Sequence, residues 1–295
     1  MLMIFGYPAP LLFGQLLLGL INGAFYALLS LGLAIIFGML NIVNFAHGAL
    51  FTMGAFVAWG LLQYFGIGYW PALLIAPLLV GLFGVLLERV FISRLYRLDH
   101  LYGLLLTFGL ALIIEGLLRN EFGSAGLPYD IPAQLQGAVN LGFMFLPIYR
   151  GWVVLASMVL CLGTWLLIEK TSLGATLRAA TENAPLVQAF GINVPRMITL
   201  TYAGGVALAA FGGVLAAPIY SVTPDIGGGF LITVFAVVVI GGMGSILGSI
   251  LTGFSLGVVE GMTKVFYPQA ASTVVFVVMV IVLLFRPAGL FGRTA

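Results

Sequence analysis

Hydrophobic residues run along this chain in blocks of roughly 15 to 29, at about 12–38, 48–65, 70–88, 101–118, 151–168, 196–217, 230–258 and 272–286. A helix needs about 20 apolar residues to cross a hydrocarbon core, whereas barrel strands alternate over about 10. Lipid offers backbone groups no partner, so each block is expected to close its hydrogen bonds internally as a helix. The pattern predicts an all-α, polytopic helical membrane protein of about eight spans, forming a single transmembrane domain over 1–295. Gly66-Ile67-Gly68 reads as a tight turn between the second and third spans.

The most informative polar interruption is the loop at 169–197. Its segment Glu169 to Arg196 carries Glu169, Lys170, Arg178, Glu182 and Arg196 between two apolar spans. Its grammar is that of short helices. Ser172 can cap a first helix running through Leu177 and Ala180, and Asn183-Ala184-Pro185 ends it. Pro185 suits the first turn of a second helix, where its missing N–H would have no partner anyway. Gly191 closes that helix, and Asn193 with Pro195 opens the next span. A charged, amphipathic, helical loop inside a membrane protein is expected to meet another protein or the lipid surface.

Composition supports the membrane reading. The chain is 62% hydrophobic and 7% charged with a mean hydropathy of +1.20, against about 25% charged residues in soluble domains. A net charge of +2 gives no case for nucleic acid. The lone Cys161 allows no intrachain disulfide, and the opening MLMIFGYPAP lacks the positive n-region of a cleaved signal. Eight of the eleven Lys and Arg fall at 89–97 (Arg89, Arg94 and Arg97), 169–196 and 286–293 (Arg286 and Arg293). The positive-inside rule places all three in the cytoplasm. Parity then requires 230–258 to enter and return on the same side, and Gly241-Gly242-Met243-Gly244-Ser245 offers the break, because glycine costs about 1 kcal/mol in a helix interior. A mid-membrane re-entrant hairpin satisfies this, and so do two complete crossings. Either way the N-terminus lies outside and the C-terminus inside.

The connector Asn41-Ile-Val-Asn44-Phe-Ala-His47-Gly48 is a second irregular place, whose polar groups are expected to bond nearby backbone and order a tight turn. Stripes of small residues, Gly19, Gly23 and Ala27, and Gly205, Ala209 and Gly213, favour close helix packing within one subunit. No enzyme chemistry assembles from the sequence. His47 and His100 have no Cys or acid at metal-ligand spacing, and Ser245 has no local base. No GxxxxGK[ST] loop surrounds Lys170 or Lys264, so any ATP must bind another chain. Glu115 and Glu260 are the deepest acids, and each has a cation one turn on, Arg119 and Lys264.

Several segments in order carry a resemblance: Gly19-Leu-Ile-Asn22-Gly23 through Gly32, Asn44-Phe-Ala-His47-Gly48, Arg178-Ala179-Ala-Thr-Glu182-Asn183, Phe190-Gly191-Ile192-Asn193, Val239 to Ser245, and Leu284 to Gly292. The set resembles the branched-chain amino acid ABC transporter permeases of LivH type, a group that includes urea, amide and aromatic-acid permeases. The resemblance implies an importer subunit paired with a LivM-type permease, two cytoplasmic ATPase subunits and a periplasmic or surface binding protein. It further implies that Arg178, Ala179, Glu182, Asn183 and Gly191 belong to the ATPase-coupling loop. Pathway candidates are Gly241, Gly242, Gly244 and Ser245 at the break, then Asn22, Asn44 and His47. An ion-coupled carrier or channel and a membrane scaffold are the rival classes.

Overall fold

The structure, a computed structural model, describes residues 3–4, 7–40, 42–96 and 98–292. Asn41, Arg97 and Arg293, used above for the connector and the charge bias, lie outside the described residues. Eleven α-helices follow one another among the described residues: α1 (Ala9–Leu40), α2 (Ala46–Phe65), α3 (Tyr69–Val90), α4 (His100–Phe122), α5 (Ile148–Lys170), α6 (Ser172–Glu182), α7 (Ala184–Ala189), α8 (Val194–Tyr220), α9 (Ile226–Gly241), α10 (Ile246–Phe266) and α11 (Val274–Phe285). Seven of them, α1 to α5 with α8 and α10, are long and apolar enough to cross a membrane. The chain is a polytopic helical membrane protein. Helix α9, with 16 residues, rises about 24 Å, and α11, with 12, about 18 Å. Both fall short of the ~30 Å core.

Packing divides the chain into two compact units. One holds Met1–Ser30, Ile131–Cys161 and Thr233–Ala295; the other holds Leu31–Asp130 and Leu162–Ile232. In the first unit, α1 and α10 run antiparallel with their backbones in near contact. A Cβ on Gly257 would lie 2.3 Å from Gly23 Cα, and one on Gly253 would lie 2.5 Å from Ala27 Cα. Only residues without a side chain permit this approach, which gains dispersion and interhelical polar contacts in lipid. Ser30 Oγ donates to the Ser249 carbonyl at 3.2 Å, and Tyr26 donates to Glu260 at 2.6 Å. Two short antiparallel ribbons complete this unit, β1 (Met3–Ile4) with β2 (Tyr7–Pro8), and β3 (Ala138–Asn140) with β4 (Phe145–Pro147).

In the second unit, α8 packs along α2 and α3. Its small-residue stripe faces the chain's own helices: Gly205 meets Gly32 and Ile36, and Gly213 meets Phe51. Ile36, Leu50, Val80, Leu87, Tyr202 and Val206 form part of the core there. Both stripes read from the sequence therefore serve packing within the chain.

The expected 230–258 segment is two helices, α9 and α10, broken at 242–245, and α10 continues to Phe266. Gly242 and Gly244 have φ of 101° and 83°, a region that disfavours any Cβ. Ser245 caps α10, its Oγ accepting the Gly248 N–H at 3.1 Å. The break is covered by the C-terminal tail: Leu290 N–H donates to the Ile240 carbonyl at 2.8 Å and Phe291 N–H to the Gly241 carbonyl at 3.1 Å. The tip of the hairpin thus lies beside the segment that follows Arg286. Helix α10 alone, with 21 residues, rises about 31 Å. That length is enough for α10 to cross, whereas α9 is shorter than the core.

Candidate coupling site

The loop expected at 169–197 folds as two short helices set against the ends of α5 and α8. Helix α6 can fold back on α5 because Gly174 has no side chain: a Cβ there would lie 1.5 Å from the Ile168 carbonyl oxygen. The last carbonyls of α5, which have no intrahelical partner, are taken up from α6. Thr171 Oγ1 donates to the Leu167 carbonyl, and Arg178 reaches the Ile168 carbonyl at 3.4 Å and Glu169 Oε2 at 2.6 Å. Arg178 is therefore spent within the loop, holding α6 to α5. Its pairing with Glu169 is half-exposed, worth at most about 1 kcal/mol by itself; the carbonyl contact and the glycine approach fix the geometry.

The caps follow the local chemistry. Asn183 ends α6 and starts α7, its Oδ1 accepting the Leu186 N–H at 3.0 Å. Gly191, at φ 81°, closes the turn, and its N–H donates to the Gln188 carbonyl at 2.9 Å. Asn193 then caps α8 by accepting the Arg196 N–H at 3.0 Å. One expectation is corrected. Ser172 is the first helical residue, and Thr171 occupies the cap position without a side-chain cap bond, because its hydroxyl turns back to α5. Ala180, Val187 and Val194 make a small core beneath these helices. Outside that core, Ala179, Glu182 and Asn183 are exposed, and so are Leu173, Leu186 and Phe190, the last at 78%. The elbow thus exposes Leu173, Leu186, Phe190 and Glu182 on a capped support.

The other candidates are scattered in character. Asn44 is buried; its Oδ1 accepts the Ala46 N–H and its Nδ2 donates to the Tyr202 hydroxyl, each at 3.1 Å. His47 is fully buried in the first turn of α2, against Gly32. Asn22 lies partly buried on α1. At the break, Gly241 and Gly242 are buried, whereas Gly244 and Ser245 keep partial exposure. A Cβ on Gly242 would lie 2.5 Å from the Gly292 nitrogen. Of the deep acids, Glu260 is bonded to Lys264 at 2.7 Å and to Tyr26, and Glu115 is partly buried on α4.

A third acid, Glu88, lies outside the candidates that the sequence offers. It closes α3 and is 2% exposed, accepting from Tyr96 at 2.5 Å and Thr199 at 2.7 Å. It sits beside Arg89 in the last turn of α3. The one available signal was Tyr96 eight residues on, which is too weak to find it.

The chain is a multi-pass membrane protein with a folded polar elbow between α5 and α8. Residues 15–284 match the family described as the branched-chain amino acid transport system permease component, and the chain belongs to that family. It is 32% identical to the high-affinity branched-chain amino acid transport system permease protein BraD of Pseudomonas aeruginosa, over 95% of each chain. It is 28% identical to the permease protein LivH of the corresponding system in Escherichia coli, over 95% of each. Permease protein LivM of Escherichia coli is also 28% identical, over 91% of this chain and 68% of its own. No solved structure matches.

Proposed function

We propose that this chain is one of two permease subunits of an ATP-driven importer in the bacterial plasma (inner) membrane, carrying branched-chain or other hydrophobic amino acids. The names of its relatives support the substrate class. That LivH and LivM of one organism both resemble this chain supports pairing with a second, LivM-type permease. Two cytoplasmic ATPase subunits would hold the nucleotide, and a periplasmic or surface binding protein would deliver substrate.

The observation that carries this reading is the α6–α7 elbow. A capped support that leaves Leu173, Leu186, Phe190 and Glu182 exposed suits a seat for a protein partner better than an idle loop. It is bound to the end of α5 through Gly174 and Arg178 and runs directly into α8 at Asn193. Movement of an ATPase against the elbow would therefore be delivered to two membrane helices together, a rigid-body switch. Among the pathway candidates we retain Asn22, Gly244 and Ser245, which keep partial exposure. We assign Asn44, His47, Gly241 and Gly242 to shaping the backbone around it.

The test is reconstitution of the complete importer in liposomes with radiolabelled leucine. Uptake is expected only with ATP inside the ATPase-facing compartment and binding protein on the opposite side. Uptake driven by a proton or sodium gradient without ATP would contradict the proposal and favour an ion-coupled carrier.

A further inference from the structure

We infer that Glu88 is a positioning residue that passes displacement of the α6–α7 elbow from α8 into α3. The inference rests on the importer reading above. Thr199 lies in the second turn of α8, directly after the elbow, and its hydroxyl reaches Glu88 Oε2 at 2.7 Å and the Pro195 carbonyl at 3.0 Å. Tyr96, in the short turn after α3, donates to the other carboxylate oxygen at 2.5 Å. The two ion pairs among the described residues are Arg178–Glu169 and Lys264–Glu260. Glu88 is in neither; its two carboxyl oxygens are held by the hydroxyls of Tyr96 and Thr199. Burial, with the Glu88 carboxylate beside it, pushes the Tyr96 hydroxyl above the ordinary phenol range, which keeps it a donor.

A second clasp sits one turn further along α8. The Tyr202 hydroxyl accepts from Asn44, and the connector around Asn44 is held in turn by Thr107, which accepts the Phe45 N–H at 3.1 Å and reaches the Val43 carbonyl at 3.1 Å. Successive turns of α8 are thereby fastened to α3 and to the α1–α2 connector. The two fastenings differ in kind. The Asn44–Tyr202 bond is a single contact, whereas Glu88 is held at both oxygens, and a buried polar group left without partners is costly. When α8 shifts, α3 is drawn with it through the Thr199–Glu88 bond.

The experiment measures substrate imported per ATP hydrolysed by the reconstituted complex carrying Glu88→Gln, Thr199→Val or Thr199→Ser, with Tm recorded for each. Thr199→Val is expected to lower the ratio about fivefold, within the range seen when coupling elements are altered. It should leave basal hydrolysis and assembly unchanged, and Thr199→Ser, which keeps the hydroxyl, should restore the ratio. Glu88→Gln should lower it at least as far. A parental ratio for Thr199→Val, or a loss that follows Tm and is not rescued by serine, overturns the inference while leaving the importer reading intact. A parent complex whose uptake ignores ATP overturns both.

Discussion

Arg178→Glu is expected to reduce uptake by at least about tenfold, the scale of a lost coupling free energy between sites, while the chain still inserts in the membrane. The substitution withdraws the cation that holds Glu169 and the Ile168 carbonyl and places a second carboxylate beside them. Like charges then meet at the C-terminal end of α5, where the helix dipole already disfavours anions. Helix α6 would swing from its seat. Glu182→Lys should have a similar effect for a different reason. Glu182 is exposed and its charge lies on the proposed docking face, so reversal alters recognition and spares the fold. The two variants are separated by protease sensitivity of the loop, raised in Arg178→Glu and parental in Glu182→Lys. Parental uptake by both would remove the docking role from this loop.

Gly257→Leu is expected to reduce the membrane-inserted chain to under about a tenth of the parental amount. Overpacking costs about 1–3 kcal/mol where side chains can move aside, but here the obstruction is backbone. The new Cβ would sit 2.3 Å from Gly23 Cα and 2.4 Å from the Gly19 carbonyl oxygen, so α1 and α10 must part. That also strains the Ser30–Ser249 and Tyr26–Glu260 bonds. Losses of this size drive quality-control degradation. Immunoblotting of membrane fractions is the check, with Gly109→Leu as the control, since nothing lies within 4 Å of a Cβ there.

What the sequence made legible was local. Asn183, Gly191, Asn193 and Pro195 declare helix ends through their own side chains and backbone preferences, so the elbow could be drawn before any contact was known. The glycines at 241–244 announced the break for the same reason. Where two neighbours could serve equally, as at Thr171 and Ser172, only the reach of Thr171 to the Leu167 carbonyl decided between them. Helix α10 outran its expected end because Glu260 and Lys264 look like an exit from the membrane, yet they neutralise each other one turn apart. Glu88 was invisible because its partner Thr199 is 111 residues away. Arg178 was recognised as belonging to the loop, but its inward use depends on Gly174 letting α6 lie against α5, which no spacing reveals.

An ATPase subunit seated on the α6–α7 elbow would lie within reach of a photo-crosslinking amino acid in place of Phe190, which is exposed there. Irradiation of the assembled importer in membranes is expected to give one dominant adduct, between this chain and an ATPase subunit. An adduct formed only with lipid or with the substrate-binding protein on the opposite side would contradict it.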